Sequence, residues 1–89
     1  MKPMNMEYGL VVFDSTHEAI KAEIIVKNAK FHARIIGTPG EIVAGCGLSL
    51  RYDLKDSTNL RKLLSDEDIN YKGFYHAFRD GLKSSYKEI

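Results

Sequence analysis

A single cysteine, Cys46, is all the thiol this chain has, so no disulfide can form within it. Blocks of one charge sign are also missing. Thirteen Lys and Arg stand against 12 Asp and Glu, and the resulting formal charge of +1 is scattered along the chain, without the footprint that holds nucleic acid or an anionic membrane. The longest nearly apolar segment, "YGLVVF", is far shorter than the roughly 20 residues needed to span a bilayer. No stretch joins a basic start, a long apolar run and a small-residue cleavage site. The expected location is therefore the reducing cytoplasm, with Cys46 a free thiol and with neither membrane nor nucleic acid as partner.

Other chemistry is excluded by missing patterns. No glycine-rich loop precedes a helix, since "GCGLSL" leads into a strand, so there is no phosphate cradle. His17, His32, His76 and Cys46 lack metal-ligand spacing, so neither a metal nor a cofactor is expected. Phe13, Tyr52 and Phe74 are aromatic, but the full signature of RNA-recognition domains is absent: "KGF" (72–74) matches its opening, and the "YHAF" that follows does not continue it.

What is present reads as one small soluble domain over residues 1–78 with a loosely held C-terminal tail, 79–89, poor in apolar residues. Hydrophobic content of 44% with 28% charged residues suffices for one modest core. "EYGLVVF" (7–13) predicts a central strand. "STHE" predicts a capping box, Ser15 as N-cap and Glu18 three residues on, opening a helix over 16–29 with Lys27 and Lys30 at its end. Ala19, Ala22, Val26 and Ala29 make its core stripe and leave Ile20 and Ile24 on an adjoining flank. "FHARII" (31–36) and "LSLRY" (48–52) alternate as half-buried strands. A second helix begins at Asp56 or Ser57 with Leu60, Leu63 and Leu64 facing the sheet, and "NYKGFYHAF" (70–78) predicts the last strand.

The order βαββαβ predicts an α+β, ferredoxin-like sandwich: a four-stranded antiparallel sheet, spatial order 4-1-3-2, with both helices on one face, because split βαβ crossovers are right-handed. His32, Arg34, Ser49 and Arg51 then share the open face, where they keep the sheet wet or bind a ligand. Tracing strand directions places the loop between the second and third strands beside the start of the first helix, so Cys46 and "DSTH" should be neighbours. That loop, "GTPGEIVAGCGLSL", holds four of seven glycines. Thr38 with Glu41 and Pro39 predicts a second capping box and one short helical turn, "PGEIVA", ended by Gly45. Gly45 and Gly47 would let another molecule's backbone approach the thiol. The carboxyl end of that turn would disfavour a thiolate, whereas the amino end of the first helix and a charged His17 would favour it. The competing reading makes Cys46 a small buried hydrophobe between two structural glycines.

"VVFDSTHEAIKAE" followed by "RIIGTPGEIVAGCGLSLR" resembles a bacterial family of small domains described as putative Se/S carrier protein-like, over about residues 8–76. On that resemblance Cys46 and Gly47 match a CG pair, Ser15, Thr16 and Glu23 match the first-helix pattern, and Pro39 and Glu41 match the loop. Gly40 stands where the family commonly has a basic residue, and Gly45 where it has serine. The resemblance implies an accessory carrier rather than an enzyme, holding sulfur or selenium on Cys46 as a persulfide or selenopersulfide. The donor would be of the cysteine desulfurase type, and the acceptor is an unknown protein. The alternative is a small-molecule-sensing or structural interaction module without thiol chemistry. A homodimer through the open sheet face or the Ile20 and Ile24 flank is expected to leave the Cys46 end free.

Overall fold

A computed structural model describes residues 5–42 and 45–89. Five strands and two α-helices follow one another: β1 (Asn5–Val12), α1 (Thr16–Asn28), β2 (Ala33–Gly37), β3 (Leu48–Tyr52), α2 (Ser57–Asp66), β4 (Gly73–Asp80) and β5 (Lys83–Glu88), with a single 3₁₀ turn, Leu54–Asp56, leading into α2. The sheet is antiparallel with the order β2-β3-β1-β4-β5. Its first four strands thus take the expected spatial order, and the architecture is α+β.

Two cores lie on the two faces of this sheet. Val11 of β1, Phe13 just after it, Leu50 and Tyr52 of β3 and Phe74 of β4 pack with Ala19, Ala22 and Val26 of α1 and with Leu60 and Leu64 of α2, so both helices cover one face. Tyr52 lies edge-on to Phe74 with centroids 5.8 Å apart, and its hydroxyl pairs with Ser57 Oγ at 2.7 Å. Burial raises the Tyr52 pKa above its ordinary 10.0, against the opposing pull of Ser57 and Arg61. Because Phe13, Tyr52 and Phe74 are spent on this core, they do not face a ligand on the open side.

The sheet has five strands, not four. Residues 79–89, expected as a tail, complete β4 and form β5, which pairs along β4 from Tyr75↔Glu88 to Asp80↔Lys83. The hairpin turns on Gly81, at φ +62°, the first central position, where II′ turns take glycine. The strand is poor in apolar residues because it is an edge: of its side chains only Tyr86 is partly covered, and Lys83, Lys87 and Glu88 face water, as edges protected from further pairing do.

The open face is not wholly open either. Leu10, Val12 and Ala77 are buried there under Ile42, which is 8% exposed, with Tyr8, Ile36, Tyr75 and Tyr86 packed around them. Ile42 comes from the β2–β3 loop, where Ile42 N–H donates to Pro39 O at 3.0 Å. A turn therefore stands where a helical turn with a capping box was expected. The Thr38 hydroxyl is engaged elsewhere, and positions 43 and 44 of "PGEIVA" lie outside the described residues. Ser49 shares this face but is fully buried, so it does not wet the surface. On α1, Ala29 is the C-cap and exposed, and Ile25 packs on the core in its place.

Candidate functional site

Four segments meet at one end of the sheet: the end of β1, the start of α1, the end of β2 and the start of β3. The antiparallel register leaves the β2–β3 loop no other place to go. Cys46 lies there, 4% exposed, at the edge of the helix-side core. Its Sγ is 3.4 Å from Thr16 Oγ1 and accepts the Leu48 backbone N–H at 3.3 Å. Thr16 is the first residue of α1, so the sulfur also faces the positive end of a helix dipole.

The loop is tied down on both sides of the thiol. Gly45 N–H donates to Asp14 Oδ1 at 3.1 Å across 31 residues of chain. A side chain at 45 would press on the Asp14 carbonyl, its Cβ 3.1 Å from that oxygen, which accounts for glycine. On the other side the Thr38 hydroxyl donates to Cys46 O at 3.2 Å and Thr38 N–H donates to Gly47 O at 2.9 Å. With that proton committed, Ser49 Oγ donates to Thr38 Oγ1 across 2.7 Å. Gly47 borders open space. An approaching backbone would thus meet no side chain at Gly47.

The expected site residues fall unevenly around the sulfur. Thr16 touches it, and Gly45 and Gly47 flank it. Ser15 caps α1 by accepting the Glu18 N–H at 3.4 Å, one residue away from the contact. His17 is exposed and makes no hydrogen bond among the described residues, so the structure brings a hydroxyl to the sulfur and not an imidazole. Glu18 does not close the capping box. Its carboxylate accepts the Asn70 N–H at 2.9 Å and pins α1 to the segment before β4. Glu23 pairs with Lys27 at 3.1 Å on the helix surface, while Pro39 and exposed Glu41 belong to the turn that carries Ile42. From the sequence, Asp14 was expected only as a neighbour of Cys46 and Thr38 only as a helix cap, whereas these two side chains hold the loop. A carboxylate just before an N-cap and a threonine just after a strand were the available signals. Among the described residues no three His, Cys, Asp or Glu side chains gather to hold a metal, and no helix is long and apolar enough to cross a membrane.

The family model described as Putative Se/S carrier protein-like matches residues 8–76. The chain belongs to this family. The matched span runs from β1 to β4 and includes Thr16, Cys46 and Leu48. The chain is also 36% identical over 61 residues to an uncharacterized protein of Methanocaldococcus jannaschii, an alignment that covers 68% of this chain and 30% of that protein. The chain thus spans less than a third of that relative's length. The relative is archaeal, so it lends no support to the bacterial label attached to the resemblance. No solved structure matches.

Proposed function

We propose that the chain carries sulfur, or selenium, on Cys46 as a persulfide or selenopersulfide and hands it to a partner protein. The observation that carries this reading is the setting of the only thiol. Its sulfur lies between the Thr16 hydroxyl and the Leu48 N–H at the amino end of α1, in a chain of the Se/S carrier-like family. Both groups lie within hydrogen-bond reach of the sulfur that would attack the donor and later release its cargo.

In the step itself, the Cys46 thiolate attacks the outer sulfur of a donor persulfide. One S–S bond forms on Cys46 as the donor's S–S bond breaks, and the donor leaves as a thiolate, so no external oxidant or reductant is consumed. A donor of the cysteine desulfurase type fits this chemistry. Because Cys46 is 4% exposed, the loop must lift from Asp14 for the sulfur to be reached, and the bare Gly47 side gives a partner backbone room to approach.

Incubation with a cysteine desulfurase and cysteine, followed by intact mass measurement, tests the reading. The expected product is heavier by one sulfur atom, reverts on reduction and does not form with Cys46→Ser. A chain that gains no sulfur from several desulfurases, while its thiol still reacts with small alkylating agents, would overturn the carrier role.

A further inference from the structure

Arg34 and Arg51 are direct cross-strand partners on β2 and β3. Like charges placed directly opposite each other in an antiparallel pair destabilise the sheet, and among the described residues no salt bridge offsets them. Among the described residues neither guanidinium has a carboxylate within 4 Å: the ion pairs are Lys27 with Glu23, Lys62 with Asp66 and His76 with Glu7. Arg51 is instead oriented by uncharged groups. Its guanidinium carbon lies 4.1 Å over the Tyr8 ring and its Nη2 donates to Met6 Sδ at 3.1 Å. That leaves most of its five N–H donors unspent on a fork held in place.

Both arginines line a cleft of about 520 Å³ that also includes His32 and Lys27. Of the two acidic residues in its wall, Glu7 shares a 2.7 Å hydrogen bond with His76, and neither Glu7 nor Asp53 pairs with a guanidinium among the described residues. The volume suits a small molecule rather than a bare ion. The cleft adjoins the carboxyl end of β3, whereas Cys46 precedes its amino end. At about 3.3 Å per residue the two ends of β3 lie on the order of 13 Å apart.

We propose that this cleft binds a small molecule through an oxyanion, phosphate or carboxylate, held between the Arg34 and Arg51 forks. An oxyanion bridging the two converts an opposed like-charge pair into two charge-assisted contacts, and planar guanidinium groups match both oxyanions bidentately. The site is separate from the thiol and does not depend on the carrier reading.

Titration of the full chain with inorganic phosphate, and in parallel with acetate, at constant pH and with sodium chloride keeping ionic strength fixed, tests it by amide NMR shifts. Saturable shifts confined to residues 32–34 and 51–53 are expected, and whichever anion binds more tightly identifies the group. Arg34→Gln and Arg51→Gln should each weaken binding about tenfold or more, the usual effect of removing one charge-assisted contact, while Lys62→Gln should leave it unchanged. In chloride alone, Arg34→Glu should melt higher than Arg34→Gln, because it turns the like pair into an opposite one. Shifts spread over all surface lysines, or binding indifferent to both arginine variants, would overturn the site. Equal melting of the Glu and Gln variants would do so too, by removing the unfavourable pairing on which it rests.

Discussion

Gly9 supports the ring of Tyr52 on its bare α-carbon. A Cβ at that position would collide with the ring, and the ring cannot retreat, because it is bounded by Phe74 and fixed through its hydroxyl to Ser57. The glycine thus decides how β1 and β3 can pair at Gly9↔Tyr52. Gly9→Ala is expected to cost about 2–3 kcal/mol by overpacking, which in a domain of this size lowers Tm by roughly 10–20 °C. Thermal unfolding followed by circular dichroism checks this, and a loss within a degree or two would mean that the Tyr52 ring has another position open to it. The same residue-scale logic separates the two sides of Cys46. Gly45 lies close against the Asp14 carbonyl, where a Cβ would need that neighbour to shift, whereas Gly47 borders empty space.

At the scale of elements, both helices end alike and neither end uses glycine. In α1 the Lys30 N–H bonds Lys27 O and the Phe31 N–H bonds Val26 O. In α2 the Asp68 N–H bonds Ser65 O and the Ile69 N–H bonds Leu64 O. Lys30 and Asp68 sit at φ +71° and +61°. These are Schellman ends, normally closed by glycine because an L side chain in that conformation costs about 1–2 kcal/mol. Glycine's extra flexibility when unfolded returns about 0.5–1 kcal/mol of that. Lys30→Gly and Asp68→Gly should each stabilise the chain by about 0.5–1 kcal/mol, read as a higher urea midpoint at unchanged slope. A lower midpoint for both would show that these exposed side chains contribute more than their backbone strain.

Where elements were legible, periodicity and caps made them so. The alternation of Leu48, Leu50 and Tyr52, the apolar run of β1 and the Ser15 cap all mark elements the structure contains, and tracing their directions was enough to bring Cys46 beside α1. β5 was not legible, because an edge strand earns its place by backbone pairing and "KSSYKE" has almost no apolar pattern to read. The Asp80-Gly81 pair was the only signal. Ile42 was equally hidden. One isoleucine in a glycine-rich loop has no periodicity, and only the folded sheet reveals the apolar row it covers. The latch at the thiol was missed for a similar reason, since Asp14 and Thr38 act across long stretches of chain.

For the whole molecule, these two hidden features change which surfaces are left over. The centre of the open sheet face is filled by the chain's own Ile42, so a partner copy could pair there only by displacing the loop. Of the surfaces expected to associate, the α1 flank remains, with Ile20 46% and Ile24 56% exposed. The other sheet edge is held by β5, and its removal is a sharp test of whether residues 81–89 belong to the domain. Six cross-strand pairs join β5 to β4, and at roughly 0.2–1 kcal/mol each their loss should cost on the order of 1–6 kcal/mol. Truncation after Asp80 would also bare the backbone edge of β4, which runs beside the apolar Phe74, Tyr75 and Ala77, and an exposed edge of that kind pairs with other chains. The truncated chain should therefore melt well below the full one and gain mass by light scattering at micromolar concentration. A truncated chain with unchanged Tm and unchanged mass would return residues 81–89 to the status of a dispensable tail.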